Sequence, residues 1–304
     1  MHISEGILPF NWALLWFLIA VPFVAYGLYR LKKISNSDIS FKPLVGLMAA
    51  VVFIISCMPI PVPTAGTCSH PCGTGISGIL LGPAISILIT AVALLIQALF
   101  LAHGGLSTWG ADIVSMGVVG SFAGFLTFKA LRLLKINLAV SAFFAGLFAD
   151  WATYLATSVE LTAGIKGSAP FLPLFWKIIV AFIPTQLPLG ILEGAMTSGM
   201  IMLLYKKRPD LLIKMKVLKV TKAVVVFLSI FFISCFSLAN AAEWPGVDET
   251  VVEKYAEEHG RAARAPLINT DQGDLLLFVF LLAGAIGGFV GGYYWRKLTE
   301  QKPK

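Results

Sequence analysis

Apolar and polar positions along this chain are segregated into long blocks and do not alternate residue by residue. Uninterrupted apolar stretches occupy roughly 11–29, 41–58, 74–101, 111–128, 138–158, 171–204, 222–240 and 274–294, with short polar or basic stretches between them. Several are close to the ~20 residues that a helix needs to cross a bilayer. The pattern therefore predicts an all-α polytopic membrane protein. Composition agrees: of 304 residues, 58% are hydrophobic and only 13% charged, whereas soluble domains carry about 25% charged residues.

The charges that remain give direction. A net charge of +7 would suggest nucleic acid in a soluble protein. Here the basic residues gather at segment ends, as Arg30, Lys32 and Lys33, then Lys129, Arg132 and Lys135, then Lys206, Lys207 and Arg208, then Arg296 and Lys297. Such clusters mark the cytoplasmic side. The expected surroundings are membrane lipid, with no nucleic acid, in the cell (cytoplasmic or inner) membrane. The N-terminus is then outside and the C-terminus cytoplasmic.

This orientation constrains the third stretch. Segments 41–58 and 111–128 both meet the outer side at residues 58 and 111, so 74–101 must go in and come back. Gly82-Pro83 is the natural break, because proline lacks an amide donor and disfavours helix before it. The return from 84 to 101 is long enough to span, but 74–81 is too short. The preceding loop must consequently dip into the membrane, where non-helical backbone is tolerated only inside protein or along a cavity. Residues 1–209 then form a seven-helix module with one short or broken crossing.

Residues 210–304 read as a second module: two transmembrane helices, with a polar, acidic external loop at 241–273. Its first span, within 215–242, has a basic start, an apolar core and Ala239-Asn240-Ala241, the form of a cleavage site. An ordinary uncleaved span near Ala241 is the preferred reading. In the last span Gly284, Gly288 and Gly292 make a stripe, with Gly287 and Gly291 beside it. That stripe is expected to pack on the first module or on a partner.

Chemistry concentrates near the outer ends. The start has no basic leader, and Glu5 and Pro9 interrupt the approach to the first span, so no signal peptide is expected. Met1 and His2 together offer an α-amine, an amide nitrogen and a ring that can close a chelate. His70 sits in the dipping loop, His103 in His103-Gly104-Gly105-Leu106, and His259 in the acidic loop. Imidazole suits nickel, copper, zinc and cobalt, and a planar nitrogen set favours Ni(II) or Cu(II). Asp112, close to His103, is a group that could orient a histidine ligand. Gln97, Asp150, Gln186 and Glu193 lie in apolar spans and read as interhelical hydrogen-bonding residues. Cys68-x-His70-x-Cys72 could hold zinc in a membrane enzyme or a metal sensor, with free thiols or a local disulfide as the plainer reading. The chain has no G-x-x-x-x-G-K-[ST], H-E-x-x-H or G-x-S-x-G sequence. Any active transport would therefore draw its energy from elsewhere; the chain is read as a transport subunit, not an enzyme, with no cofactor.

Met1-His2-Ile3-Ser4-Glu5-Gly6-Ile7-Leu8-Pro9 resembles the start of CbiM/NikM proteins, the substrate-capturing subunits of energy-coupling-factor transporters for cobalt and nickel. Ser69-His70-Pro71 with Gly73-Thr74-Gly75 and Gly82-Pro83 resembles a second signature. His103 to Ala111 with Ser115-Met116-Gly117 resembles a third, and Glu193-Gly194 a weaker fourth. The similarity covers about 1–205, and the tail around Glu243-Trp244-Pro245-Gly246 is similar to the two-span CbiN/NikN partner. The resemblance implies a metal held by the Met1 amine, the His2 amide nitrogen and the rings of His2 and His70. Thr67, Ser69, His103 and Asp112 would surround that set. It also implies a transmembrane coupling subunit and two cytoplasmic ATPase subunits as partners, with ATP-driven delivery of Ni(II) or Co(II) inward, nickel slightly preferred. Cys68, Cys72 and Asp112 depart from the family's usual residues, which leaves metal preference open.

Overall fold

A computed structural model describes residues 2–38, 41–57, 60–61, 68–101, 103–215, 217, 260 and 275–300. Met1, Thr67, the span 222–240 with Ala241, and the loop 241–273 with His259 (Gly260 apart) lie outside the described residues.

The described chain is helical almost throughout. The helices are α1 (Phe10–Ser37), α2 (Phe41–Ser56), α3 (Thr74–Leu81), α4 (Pro83–Phe100), α5 (Trp109–Leu133), α6 (Leu138–Ile165), α7 (Phe171–Lys207), α8 (Pro209–Lys214) and α9 (Leu275–Glu300). Five of them, α1, α4, α5, α6 and α7, are long and apolar enough to cross a membrane. Helix ends overrun the apolar stretches. α1 continues past residue 29 to Ser37 and α6 past 158 to Ile165. Hydropathy marks where a helix meets hydrocarbon, whereas good helix formers continue beyond that point: Arg30, Lys32 and Lys33 in α1, and Glu160, Leu161 and Ala163 in α6.

The expected break in the third stretch is present. α3 has eight residues and stops at Gly82, whose φ of 78° and ψ of 160° no helix accommodates. Pro83 then starts α4, where its missing N–H is no loss. A chain of hydroxyls ties the break to its neighbour: Ser77 Oγ to Ser86 Oγ at 2.6 Å, and Ser86 Oγ to Ser121 Oγ at 2.7 Å. Before α3, Ile60–Pro61 and Cys68–Ser69 pair as a two-residue antiparallel ladder that closes the loop on itself.

Helix α3 buries Ile76, Ile79 and Leu80 and also packs by backbone. A Cβ on Gly75 would lie 2.8 Å from the Gly146 Cα of α6, and one on Gly124 of α5 would lie 3.0 Å from the Gly75 Cα. Small residues allow this approach where lipid supplies no hydrophobic drive between helices. Gly75→Ala is expected to push α3 off α6 and destabilise the chain by about 1–3 kcal/mol. Thermal unfolding in detergent measures the loss.

Helix α9 lies against α2, but not by the stripe named from sequence. Among the described residues, Gly284, Gly288 and Gly292 face no atom that a Cβ would touch. The contact is made by their neighbours: a Cβ on Gly287 would be 3.0 Å from Ile54, and one on Gly291 3.9 Å from Ala50. Tyr294 continues this face onto Gly46. Both glycine rows repeat every four residues, and the shape of α2 selects between them.

Candidate metal centre

The N-terminal segment, residues 2–9, does not fray. It threads between the His103–Thr108 loop and the start of α5, and His2, Ile3, Ile7 and Leu8 are all buried. Its backbone is held at both polar edges. The Ile3 N–H donates to Asp112 Oδ1 at 2.9 Å, and the Ile3 carbonyl accepts from Thr108 Oγ1 at 2.5 Å. Glu5 in turn accepts from the Ser107 N–H at 3.0 Å. The glycine pair of the facing loop makes room for this. Gly104 has φ 82°, and a Cβ on Gly105 would fall 2.7 Å from the Glu5 Cα.

This threading carries His2 to His70. The His70 Nε2 and His2 Nδ1 atoms are 2.9 Å apart, and His103 completes a triangle of rings with centroids 4.5 Å from His2 and 5.1 Å from His70. One ring nitrogen from each of the three lies within 4.8 Å of the others. His70 Nδ1 faces the Pro71 carbonyl at 3.1 Å. Donation to that carbonyl leaves Nε2 as the bare, ligating nitrogen. The Nε2 atoms of His2 and His103 are buried without a hydrogen-bond partner. Three inward-facing imidazoles with unused nitrogens are an arrangement suited to a divalent cation. Burial, reinforced by the neighbouring rings, holds His2 and His70 well below the usual imidazole range, and burial lowers His103 to about 4. All three are therefore neutral and competent as ligands at neutral pH.

The sequence-derived residues divide as follows. His2 and His70 meet. His103, assigned from sequence to the surroundings, stands as close to His2 as His70 does. Asp112 accepts from the backbone of Ile3, so it positions the segment that carries His2. Ser69 is described only as backbone. Thr108 and Glu5 are positioning residues that sequence did not single out for this role; the adjacent Gly104-Gly105 pair was the available signal. Asp112→Ala would free the Ile3 amide, and metal affinity is expected to fall about 10–100-fold, the usual cost of an outer-shell partner. Titration calorimetry with cobalt(II) reads this directly.

Of the Cys68-x-His70-x-Cys72 zinc reading, His70 and Cys72 fall in separate groups of possible ligands, and the Cys68 side chain lies outside the described residues. Cys72 is a free, buried cysteine whose side chain faces Asp150, with Sγ 3.8 Å from Oδ1, away from the histidine triangle. Glu193 is also more than an interhelical hydrogen-bonding residue. Its two oxygens accept from the backbone N–H groups of Cys72 at 2.6 Å and Gly73 at 3.0 Å, pinning the loop that carries His70. Gln97 does bridge helices as expected, donating from α4 to Ser56 Oγ at 2.7 Å.

Residues 2–211 match the family described as cobalt uptake substrate-specific transmembrane region, CbiM. The cobalt transport protein CbiM of Geobacter sulfurreducens is 66% identical across 99% of this chain and 91% of that protein. That of Sorangium cellulosum is 52% identical across 72% of this chain and 97% of that protein. A solved crystal structure titled as a transition metal transporter superposes with TM-score 0.61 at 26% identity, over 71% of this chain and 98% of that one.

Proposed function

Because the chain belongs to the CbiM family of cobalt-uptake transmembrane proteins, we propose that it captures cobalt(II) or nickel(II) at the outer side of the cell membrane for ATP-driven delivery inward. It is a transporter subunit rather than an enzyme. The observation that carries the reading is the buried approach of His2 to His70, 2.9 Å between ring nitrogens 68 residues apart in sequence.

The residues divide the work. His2 supplies a ring nitrogen and, through its amide and the Met1 amine, the rest of a terminal chelate. His70 closes the set from the loop fixed by Glu193. His103 lines the third side, as a further ligand or as the wall that excludes water. Thr108, Asp112 and Glu5 hold residues 3 and 5, so that the terminal chelate is formed in place rather than recruited from solution. Preorganisation of this kind raises affinity by lowering the ordering cost of binding. The relatives are named for cobalt, and nickel competes through the same planar nitrogen set.

Release inward needs an energy source outside this chain. A coupling subunit and two ATPase subunits on the cytoplasmic side fit that need. Residues 210–304 act as an attached two-span module, and α9 on α2 is its point of contact. The N-terminus lies outside and the C-terminus in the cytoplasm, since Arg30, Lys32 and Lys33 follow the first span.

The test is accumulation of radioactive cobalt by cells expressing the chain with and without active ATPase partners. Uptake that needs ATP hydrolysis supports the transport reading, and equal uptake without it overturns that reading in favour of a receptor or sensor. Addition of excess nickel in the same assay decides the preferred ion. Affinity is also expected to fall steadily as pH drops from about 8 to 5. The amine and amide must lose protons to ligate, so added protons displace the metal. Calorimetry across that range measures the slope.

A further inference from the structure

A second cluster of possible ligands lies deeper in the protein. Cys72, Asp150 and Glu193 each place one ligand atom within 4.8 Å of the others, and all three are buried. This spread is near what one ion gives with ligand bonds of about 2.0–2.3 Å. Asp150 is wholly buried, and its Oδ2 has no hydrogen-bond partner. An orphaned carboxylate oxygen in a membrane interior is costly, and intramembrane ionisable residues commonly mark ion pathways. Glu193 accepts from the Cys72 and Gly73 amides, one on each oxygen, and from the Gly75 amide; of a carboxylate's roughly four acceptor positions, one remains.

The cluster's position is informative. Asp150 is 12 residues into α6, about 18 Å along it, and Glu193 is 14 residues from the end of α7, about 21 Å. Both therefore sit near mid-membrane, whereas the histidine triangle is carried by residues 2, 70 and 103, all outside the long helices. Helix α6 links the two places. Tyr154 Oη contacts the His70 carbonyl at 3.5 Å, and Asp150 is one turn earlier on the same face. Under the charge-derived orientation, that turn is a step inward.

We propose that Cys72, Asp150 and Glu193 form a second site for a divalent transition-metal ion, one helical turn inward of the histidine cluster, which receives the ion on its way to the cytoplasm. This inference rests on the transport reading for its direction, but the site itself is tested independently of it. One thiolate and two carboxylates bind cobalt(II) or nickel(II) in a ligand set unlike the nitrogen set outside. The thiol proton is released as the metal binds.

The test uses cobalt(II), because thiolate ligation adds a charge-transfer absorption that nitrogen and carboxylate ligation lack. The full chain carries Cys57→Ser, Cys68→Ser and Cys235→Ser, so that Cys72 is the sole thiol. His2→Ala and His70→Ala are added to disable the outer site. A saturable thiolate-to-cobalt absorption at one equivalent is expected, abolished by Cys72→Ser and weakened at least about 10-fold by Asp150→Asn. Absence of that absorption in the sole-thiol protein, with the protein folded by circular dichroism, overturns the proposal and leaves the cluster as a loop anchor. Asp150→Asn that folds and binds as tightly as its parent also overturns it. Failure of the outer site shows separately, as loss of cobalt binding in protein that retains His2 and His70.

Discussion

Addition of even a few residues ahead of Met1 is expected to abolish stoichiometric cobalt or nickel binding, although no side chain of the centre is changed. The described segment explains why. Residues 2–8 are threaded through a loop whose glycines already touch Glu5 and His2, and Ile3 is fastened on both backbone groups. An extension converts the terminal amine into an amide and adds chain ahead of the buried His2. His2→Ala and His70→Ala should give the same loss. Each is expected to exceed the roughly 10–100-fold cost of removing an outer-shell partner. Calorimetry on protein whose terminus has been verified by mass spectrometry distinguishes the cases. An extended variant that keeps full affinity and stoichiometry would sink the terminal chelate and leave the three imidazoles as the whole site.

Glu193→Leu is expected to be the most damaging single change away from the histidines. Two amide N–H groups, of Cys72 and Gly73, donate to this one carboxylate in a fully buried setting. Leucine leaves both without an acceptor, at about 1–3 kcal/mol each, so the loop anchorage loses about 2–6 kcal/mol. The second consequence is functional. His70 lies two residues from Cys72, so a loosened loop misplaces its Nε2 and metal affinity falls with stability. Glu193→Gln keeps one acceptor oxygen and should recover about half of the stability. Thermal unfolding with and without cobalt separates the two effects. Equal melting of Glu193→Leu and the parent would show that the loop is held by other contacts.

The arrangement of polar residues inside the helices follows from the same scarcity of partners. In hydrocarbon every freed backbone group must be satisfied by protein. The short α3 and the loop before it create such groups within the membrane, and Glu193 answers two of them. Asp112 and Thr108 do the same for the N-terminal segment. Residues that read as isolated buried polar groups along the helices are thus joined to the irregular backbone that carries the histidines.

Several features could be read from order of residues alone. Apolar blocks fixed the helices, because hydrophobic length is a local property set by bilayer thickness. Gly82-Pro83 located the broken crossing, because both residues restrict their own backbone whatever surrounds them. Charge bias put His2 and His70 on the same side, and the family resemblance implied that they share a metal. Other features depended on neighbours distant in sequence. The helical turns at Ile113–Gly120 are π-helical, a winding that apolar periodicity does not signal. Ile3 and Asp112 are 109 residues apart, and Cys72 and Glu193 are 121 apart, so their contacts exist only once the bundle is packed. The structure also decided that His70 and Cys72 serve different clusters and that Gly287 and Gly291, not the row beside them, meet α2. Sequence determines which groups are present and which segments enter the membrane, because these are properties of single residues and short runs. The direction in which each group points, and the partner it finds, is settled by packing between helices, which no local run contains.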